Sequence, residues 1–162
     1  MARYFRRLDG QTNVYWVSAI ANLDAPTAAE INAGGAGANL TARIAALSGF
    51  QYSNAPIASP DFSTGFVGQI TGEDTAAASA FSFYDDTTST ALWTLMAKGN
   101  AGFVVFQEYA KTTGSKTRVW PCTSTGQNPD YDMGAKAAWF IVGYAITSRP
   151  HLDAVWPSGV TI

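Results

Sequence analysis

The chain has 162 residues, which is the size of one ordinary domain. Hydrophobic residues make up 47% of it, enough for a packed interior, so global disorder is excluded. Charged residues make up only 14%, whereas soluble domains carry about 25%. Either uncharged polar side chains keep a monomer in solution, or partners in an assembly cover much of the surface.

The charge balance argues against a general nucleic-acid-binding protein, because ten basic and 12 acidic residues give a net charge of −2. Arg3, Arg6 and Arg7 form a basic end that precedes an acidic body. The longest apolar run, residues 137–146, is half as long as a membrane-spanning helix needs, so no membrane insertion is expected. No secretory signal is visible, and we expect synthesis and folding in a cytoplasm.

The first third of the chain predicts an extended end followed by a short helix. Residues 1–17 read as a strand or arm with a hairpin turn at Asp9-Gly10. Residues 24–34 predict a helix, because Thr27 and Glu30 have the spacing of a capping box. The glycine-rich residues 34–37 read as a flexible loop, and residues 40–47 fit a helical turn or a strand equally well.

The middle of the chain predicts two strands and the principal helix. Apolar and small residues at period two from Phe62 to Ile70 indicate one strand, and residues 79–84 indicate a half-buried second strand. Residues 85–88 then supply capping oxygens for a helix that ends at Gly99. Its Leu92 and Met96 face is expected to pack on a sheet.

The last third predicts three strands and an arm. The strands are 103–109, 117–122 and 137–147; Pro121 suggests a strand end or edge, and residues 126–133 read as a turn. The strand 137–147 is apolar on both faces, so we expect it to be covered on two sides. The fold class expected from these elements is α+β and β-rich: a small β-sandwich or barrel flanked by one principal α-helix. We expect one domain over residues 1–162, with an N-terminal strand or arm over 1–17 and an extended C-terminal arm over 150–162.

Few residues are suited to catalysis or metal binding. Cys122 and His151 are the only thiol and the only imidazole, and no nucleophile, phosphate-loop or zinc-protease motif is present. A Cys–His pair could serve as a nucleophile and its base, but neither residue has a local signature, and a structural role is favoured. Asp85-Asp86 and Asp130-x-Asp132 could be acid/base or cation sites, yet a helix cap and a turn explain them better. We expect no enzyme activity, no cofactor and no metal.

Several segments in order resemble the major tail tube proteins of long-tailed, siphovirus-like phages that infect actinobacteria. The likeness rests on residues 26–34 followed by Leu40-Thr41, on residues 83–86 with the helix to Gly99, and on residues 146–150. It spans most of the chain, and no single motif is diagnostic alone. The sequence departs from the family at residues 34–38, where such proteins more often pass directly from one glycine to a polar residue and leucine.

The resemblance implies the phage tail tube fold and a structural virion protein. Hexameric rings would stack head to tail into a hollow tube that conducts DNA into the host, with DNA only as passing cargo. The implied partners are further copies of the chain and the tape-measure, tail-tip and tail-terminator proteins. The implied location is the virion tail, after assembly in the cytoplasm of a host bacterium.

Candidate assembly residues follow from this picture. Extended segments at the N-terminus, at residues 49–61 and at the C-terminus are expected to become ordered when a neighbouring ring arrives. Arg3, Arg6 and Arg7 would either contact an acidic patch on a neighbour or form a solvated basic arm. The other interface candidates are Phe50, Tyr52, Phe62 and Trp156. The candidates for a non-adhesive, acidic channel wall are Glu73, Asp74, Glu108, Asp130 and Asp132.

Two other functions remain open at this point. Five tryptophans with many Ser and Thr residues would suit a carbohydrate-binding or other adhesive β-sandwich, although Trp93 falls in a predicted helix and Trp139 in a predicted buried strand. A hydrolase built on Asp85-Asp86 is the least favoured reading, because this pair opens a helix so well.

Overall fold

The computed structural model describes residues 12–108, 114–131, 134 and 137–162. The hairpin turn expected at Asp9-Gly10 lies outside these residues. The described residues form nine strands and two short α-helices: β1 Thr12–Val17, α1 Ala28–Asn32, β2 Ile44–Ser48, β3 Tyr52–Ser59, β4 Gly68–Ala76, β5 Ser79–Tyr84, α2 Ala91–Leu95, β6 Ala101–Glu108, β7 Lys116–Asp130, β8 Trp139–Ile146 and β9 His151–Val155.

Seven strands form one antiparallel sheet that curls into a half-barrel, and the other two form a separate hairpin. The sheet has the order β1-β6-β7-β8-β5-β2, and β9 pairs with the first part of β7. β3 and β4 pair only with each other. The β-rich fold class expected from the sequence is therefore confirmed.

The inner, concave face of the sheet holds the larger of two cores. Cross-strand neighbours point to the same face, so the register Trp16–Val104–Trp120 places these three side chains together in this core. β5 alternates as the sequence predicts, with Phe81 and Phe83 buried. α2 closes one end of the half-barrel, because its Leu92 and the following Met96 pack into the same core.

A second core lies on the outer face of β1, β6 and β7. Tyr15, Val105 and Val119 are covered there by Ile31 of α1 and by the C-terminal segment. Trp156 is 2% exposed, and its ring lies 5.3 Å from that of Tyr15. The segment after Pro150 is thus a paired strand and a core tryptophan rather than a free arm. Trp156, expected at a subunit interface, belongs instead to the core of its own subunit.

Pro121 lies inside a 15-residue central strand and not at a strand end. The first part of β7 pairs with β9 through Val119–His151, and the later part pairs with β8 from Cys122 onward. Pro121 occupies the junction, where its carbonyl accepts a hydrogen bond from Thr147 N at 3.0 Å. The N–H and C=O of one strand residue point to the same side, so the missing N–H faces the gap between β9 and β8. The β6 ladder on the other side is unaffected.

Local turn and cap signals account for most differences from the expected elements. α2 begins after Thr90 and spans five residues, because Asp86 uses its carboxylate to accept from Thr88 rather than to cap a helix. Residues 62–67 form the hairpin loop, so the expected strand starts only at Gly68. Residues 126–130 continue β7 beyond a bulge at Ser124–Gly126, instead of forming a turn.

For three further segments the structure either differs from the sequence-based expectation or decides between its alternatives. Residues 35–38 form a short 3₁₀ turn, and residues 40–47 contain both candidate structures, a 3₁₀ turn at Thr41–Arg43 and then β2. β8 buries Phe140, Val142 and Tyr144 on one face only, so the expectation that both faces are covered is wrong for the single chain. The helix expected between residues 85–88 and Gly99 is likewise longer than α2, which spans Ala91–Leu95.

The corner between β2 and β3 has two successive residues in the left-handed region. Gly49 has φ +75° and Phe50 has φ 53°, the one positive φ among the described non-glycine residues. Phe50 N–H donates to Ser79 Oγ at 2.8 Å, and its ring stacks on Phe81 with 4.8 Å between centroids. The corner therefore directs β3 away from the sheet while the Phe50 ring stays against the core.

We expect Gly49→Ala to destabilise the fold by at least about 2 kcal/mol, because a Cβ would combine left-handed backbone strain with a clash. That Cβ would lie 2.3 Å from Ala78 O, which is backbone and cannot swing aside. Gly65→Ala is the matched control, since nothing lies within 4 Å of its Cβ position. Urea unfolding of the two variants measures the difference; equal stabilities would contradict this account of the corner.

Candidate functional site

The hairpin of β3 and β4 projects from the subunit with apolar side chains in solvent. None of its residues is buried, and its cross-strand pair Ile57 and Ile70 is more than half exposed. Residues 60–67, named here the hairpin tip, carry Phe62, which is fully exposed, and Phe66, which is 79% exposed. Clustered exposed apolar side chains mark interaction sites in soluble proteins.

A bulge in the hairpin follows from one proline. Ala55 pairs with Glu73 and Ile57 with Ile70, so two residues of β4 oppose Pro56 alone. The Asn54 side chain bonds both backbone groups of Gly72, accepting from its N–H at 3.1 Å and donating to its carbonyl at 2.8 Å. These bonds compensate for the N–H that Pro56 lacks. The hairpin is thus a defined structural arm with an internal brace.

The base of the hairpin is attached to the body by Arg149. Arg149 Nε lies 3.8 Å from Asp74 Oδ2, and the guanidinium carbon lies 5.9 Å from the centre of the Tyr52 ring. Arg149 follows β8, so this contact joins the hairpin to the turn between β8 and β9. The pair is exposed, and its contribution to global stability is small.

A groove opens at the end of the half-barrel opposite α2. It is open to solvent, has a volume of about 380 Å³ and is called here the end groove. Its walls are the inner-face residues at the ends of β1, β6 and β7 together with β2 and the Gly49–Phe50 corner: Thr12, Val14, Thr41, Ile44, Leu47, Gly49, Phe50, Gln51, Phe106, Glu108, Arg118 and Trp120. Arg118 Nη2 lies 3.4 Å from Glu108 Oε2 at its polar end.

The outer face of β2, β5, β8 and the second half of β7 is uncovered and carries little charge. The register places these side chains on it: Ala46, Ser48, Ala80, Ser82, Tyr84, Thr123, Asn128, Asp130, Trp139, Ile141, Gly143 and Ala145. Asp130 is the one charged residue in this set and accepts a hydrogen bond from the Trp139 indole N–H. We call this surface the open sheet face.

The residues selected from the sequence as interface candidates are not gathered at one place. Arg3, Arg6 and Arg7 lie outside the described residues. Phe50 is half-buried in the aromatic cluster beside the end groove, Tyr52 lies at the hairpin base and Phe62 at the hairpin tip. Trp156 is in the second core, as described above.

The acidic residues selected as channel-wall candidates also lie at different places in the fold. Glu73 and Asp74 are exposed on β4, and Asp130 is on the open sheet face. Glu108 is 3% exposed beside Arg118, so it does not present a free acid to solvent. Asp132 lies outside the described residues.

Sequence reasoning missed the end groove. Its members come from four strands that are distant in the chain, and Phe106, Arg118 and Trp120 look like ordinary strand residues. The available signal was the change from apolar residues to Glu108 and Arg118 along paired strands, which marks where the inner face reaches solvent.

The side chains that were considered for catalysis have structural roles. Burial raises the pKa of the Cys122 thiol to about 12, and the side chain packs in the inner core. His151 Nδ1 lies 2.6 Å from Asp24 Oδ1, which ties β9 to the segment before α1. Hydrogen bonds from Thr88 N and Thr88 Oγ1 lower the pKa of Asp86, so this carboxyl is poorly suited to donate a proton.

Tryptophans do not form a sugar-binding platform in the described residues. Trp16, Trp120 and Trp156 are each at most 3% exposed. The ring of Trp93 packs edge-on against that of Phe140, with 5.1 Å between centroids. The indole N–H of Trp139 donates a hydrogen bond to the Asp130 carboxylate. Among the described residues, no group of three or more His, Cys, Asp and Glu side chains could hold a metal ion. In the same part of the chain no helix is long and apolar enough to cross a membrane.

We expect Cys122 to label slowly with iodoacetamide in the native protein at pH 8. A pKa near 12 leaves a thiolate fraction about a thousandfold below that of an ordinary thiol. The same protein in denaturant is the control and should label fast. Rapid labelling of the native protein, followed by mass spectrometry, would contradict the buried position.

We expect Arg149→Ala to loosen the hairpin while lowering the free energy of unfolding by less than about 1 kcal/mol. Loss of the contacts with Asp74 and Tyr52 removes the attachment of the hairpin base. Amide hydrogen exchange should rise in β3 and β4 and stay unchanged in β6 and β7. Arg149→Lys keeps the charge and should give an intermediate rise; unchanged exchange in both variants would rule out the attachment.

Comparisons with known proteins agree with a tail assembly. Residues 1–159 match the sequence model of a family described as phage tail tube protein. No curated protein sequence matches the chain.

Two solved structures share the fold. One is a chain from the extended-state sheath/tube terminator of an extracellular contractile injection system, PVC, with a TM-score of 0.64 and 13% identity over 94% of this chain and 100% of the other. The second is a chain from the baseplate of the anti-feeding prophage, with a TM-score of 0.53 and 10% identity over 98% and 99%. With the family match over nearly its full length, the chain belongs to the phage tail tube protein family and is a structural protein of a tail assembly.

Proposed function

We propose that this chain is the major tail tube protein of a long-tailed, siphovirus-like phage of actinobacteria. Hexameric rings stack head to tail into a tube that conducts DNA into the host. The protein is non-enzymatic, resides in the virion tail and assembles in the cytoplasm of the host bacterium. Its partners are further copies of itself and the tape-measure, tail-tip and tail-terminator proteins. The whole chain acts as one tube domain.

The observation that carries the proposal is a well-packed body with an exposed apolar hairpin. Two cores fill both faces of β1, β6 and β7, so the exposed Phe62 and Phe66 are not a sign of a poorly packed chain. A hairpin that contacts a different surface on the next copy makes a heterologous contact. Such contacts close into rings or continue as filaments, which is the geometry that a stacked tube requires.

The open sheet face is suited to line a channel for DNA. Among the described residues, the strand positions of this face carry no basic side chain, so these positions offer DNA phosphates no strong binding partner. Each copy carries a net charge of −2, so a ring of copies is net negative and does not hold DNA. Asp130 lies on this face and is the acid best placed for the channel wall, whereas Glu73 and Asp74 belong to the hairpin.

Negative-stain microscopy and size-exclusion chromatography of the purified protein test the proposal. Rings or tubes support it, and a protein that stays monomeric at high concentration while binding glycans would overturn it in favour of an adhesive module.

We expect Phe62→Asp to abolish tubes without unfolding the subunit, because the side chain is fully exposed and only its contact with a neighbour is lost. The free energy of unfolding should change by less than about 0.5 kcal/mol. Gly65→Asp is the matched control, since it adds the same charge to the same tip and removes no apolar group. Tubes of normal yield from the Phe62 variant would exclude the tip from assembly.

A further inference from the structure

The end groove has room for a side chain that this chain does not supply to itself. Val14, Ile44, Leu47, Phe106 and Trp120 line its apolar part, and Leu47 is 55% exposed at its rim. A cavity of about 150 Å³ already holds a benzene ring. The open groove, at about 380 Å³, therefore has room for an aromatic ring together with a neighbouring apolar side chain.

The hairpin tip of the same copy does not fill this space. Gln51 lies on the rim of the end groove, and β3 then runs outward for eight residues from Tyr52 to Ser59. At about 3.3 Å per residue the strand carries the tip some 25 Å from that rim. Phe62 is fully exposed, so it touches nothing in its own subunit.

Charge favours this groove as the receiving surface. Residues 52–76 contain Asp61, Glu73 and Asp74 and no basic residue, so the hairpin carries three negative charges. Arg118 lies two residues before Trp120 on the same face of β7, at the polar end of the groove. Its side chain is partly exposed and lies near Glu108. A guanidinium has five N–H donors, so Arg118 can donate to a second carboxylate besides that of Glu108.

We propose that the hairpin tip of one copy inserts into the end groove of a second copy, with Phe62 among the apolar wall residues and Asp61 next to Arg118. The inference rests on the proposed self-assembly and names the surface that receives the hairpin. Because donor and acceptor surfaces are different parts of the chain, each copy can give its hairpin to one neighbour and receive another. Such a heterologous contact does not close into a symmetric dimer and can continue from copy to copy.

Photocrosslinking from the hairpin tip tests the contact. Phe62 is replaced by p-benzoylphenylalanine, which keeps an aromatic ring, and the variant is co-assembled with excess wild-type protein and irradiated. Mass spectrometry should find the crosslinks on β2, the Gly49–Phe50 corner or the inner face of β6 and β7 in another copy. The same probe at Tyr131, an exposed residue after β7, is the control and should not label these segments.

A second variant tests the groove from the other side. Leu47→Asp places a negative charge at the exposed rim, where it repels the acidic hairpin, and should abolish the crosslink while the subunit stays folded. Leu47→Ala is its matched control and should retain the crosslink at reduced yield.

The outcomes separate the two proposals. Crosslinks from position 62 to the open sheet face around Ile141, or tubes that form normally in Leu47→Asp, would overturn the groove contact and leave the tube function standing. Wild-type protein that forms neither rings nor tubes would overturn the proposed function itself.

Discussion

The Gly49–Phe50 corner is the constraint on which the two parts of this molecule depend. Left-handed backbone is costly for a phenylalanine, on the order of 1–3 kcal/mol, and persists only where the surroundings determine it. Here the Phe50 ring packs against Phe81, Phe106 and Trp120, which offsets the backbone cost. Ser79 completes the corner by accepting from Phe50 N–H and donating to Ala77 O. One residue thus closes the inner core and turns the chain out of the sheet.

The corner also sets the direction in which the β3–β4 hairpin leaves the main sheet. β3 and β4 share no ladder with the main sheet, so their direction depends on the corner and on contacts at the base, where Arg149 meets Asp74 and Tyr52. The same corner forms one wall of the end groove. A change in the backbone at Gly49 would therefore alter the direction of the hairpin and the shape of the groove together.

Local patterns predicted the elements that depend on local causes. β5 alternates because one face is buried, and the capping box of Thr27 and Glu30 forms as its spacing predicts. The sequence misled where tertiary pairing decides the outcome. Gly126 has φ +127°, which permits a bulge, and the ladder with β8 then extends β7 through residues that otherwise resemble a turn. Pro121 is tolerated inside a central strand because two partner strands meet there, which no single-strand pattern can reveal.

The candidate site was predictable only in part for the same reason. Phe62 could be selected, because a run of aromatics among small polar residues and prolines is visible in the sequence. The end groove could not, since Val14, Ile44, Phe106 and Trp120 become neighbours only through the register of four strands. Trp156 was misplaced because a tail rich in proline and glycine gives no sign that its tryptophan stacks on Tyr15.

The uneven charge bears on how copies associate. Residues 44–97 contain no basic residue, and β3 and β4 each have an unpaired edge that could pair with the same edge of another copy. Two acidic hairpins placed side by side repel each other, which disfavours such a symmetric, closed dimer. The end groove, with Arg118 at its polar end, does not carry that penalty. In the proposed assembly, the low overall charge leaves apolar surface for contacts between copies. The acids on the hairpin then favour contact with an unlike surface over contact with a second hairpin, and contacts between unlike surfaces continue from copy to copy.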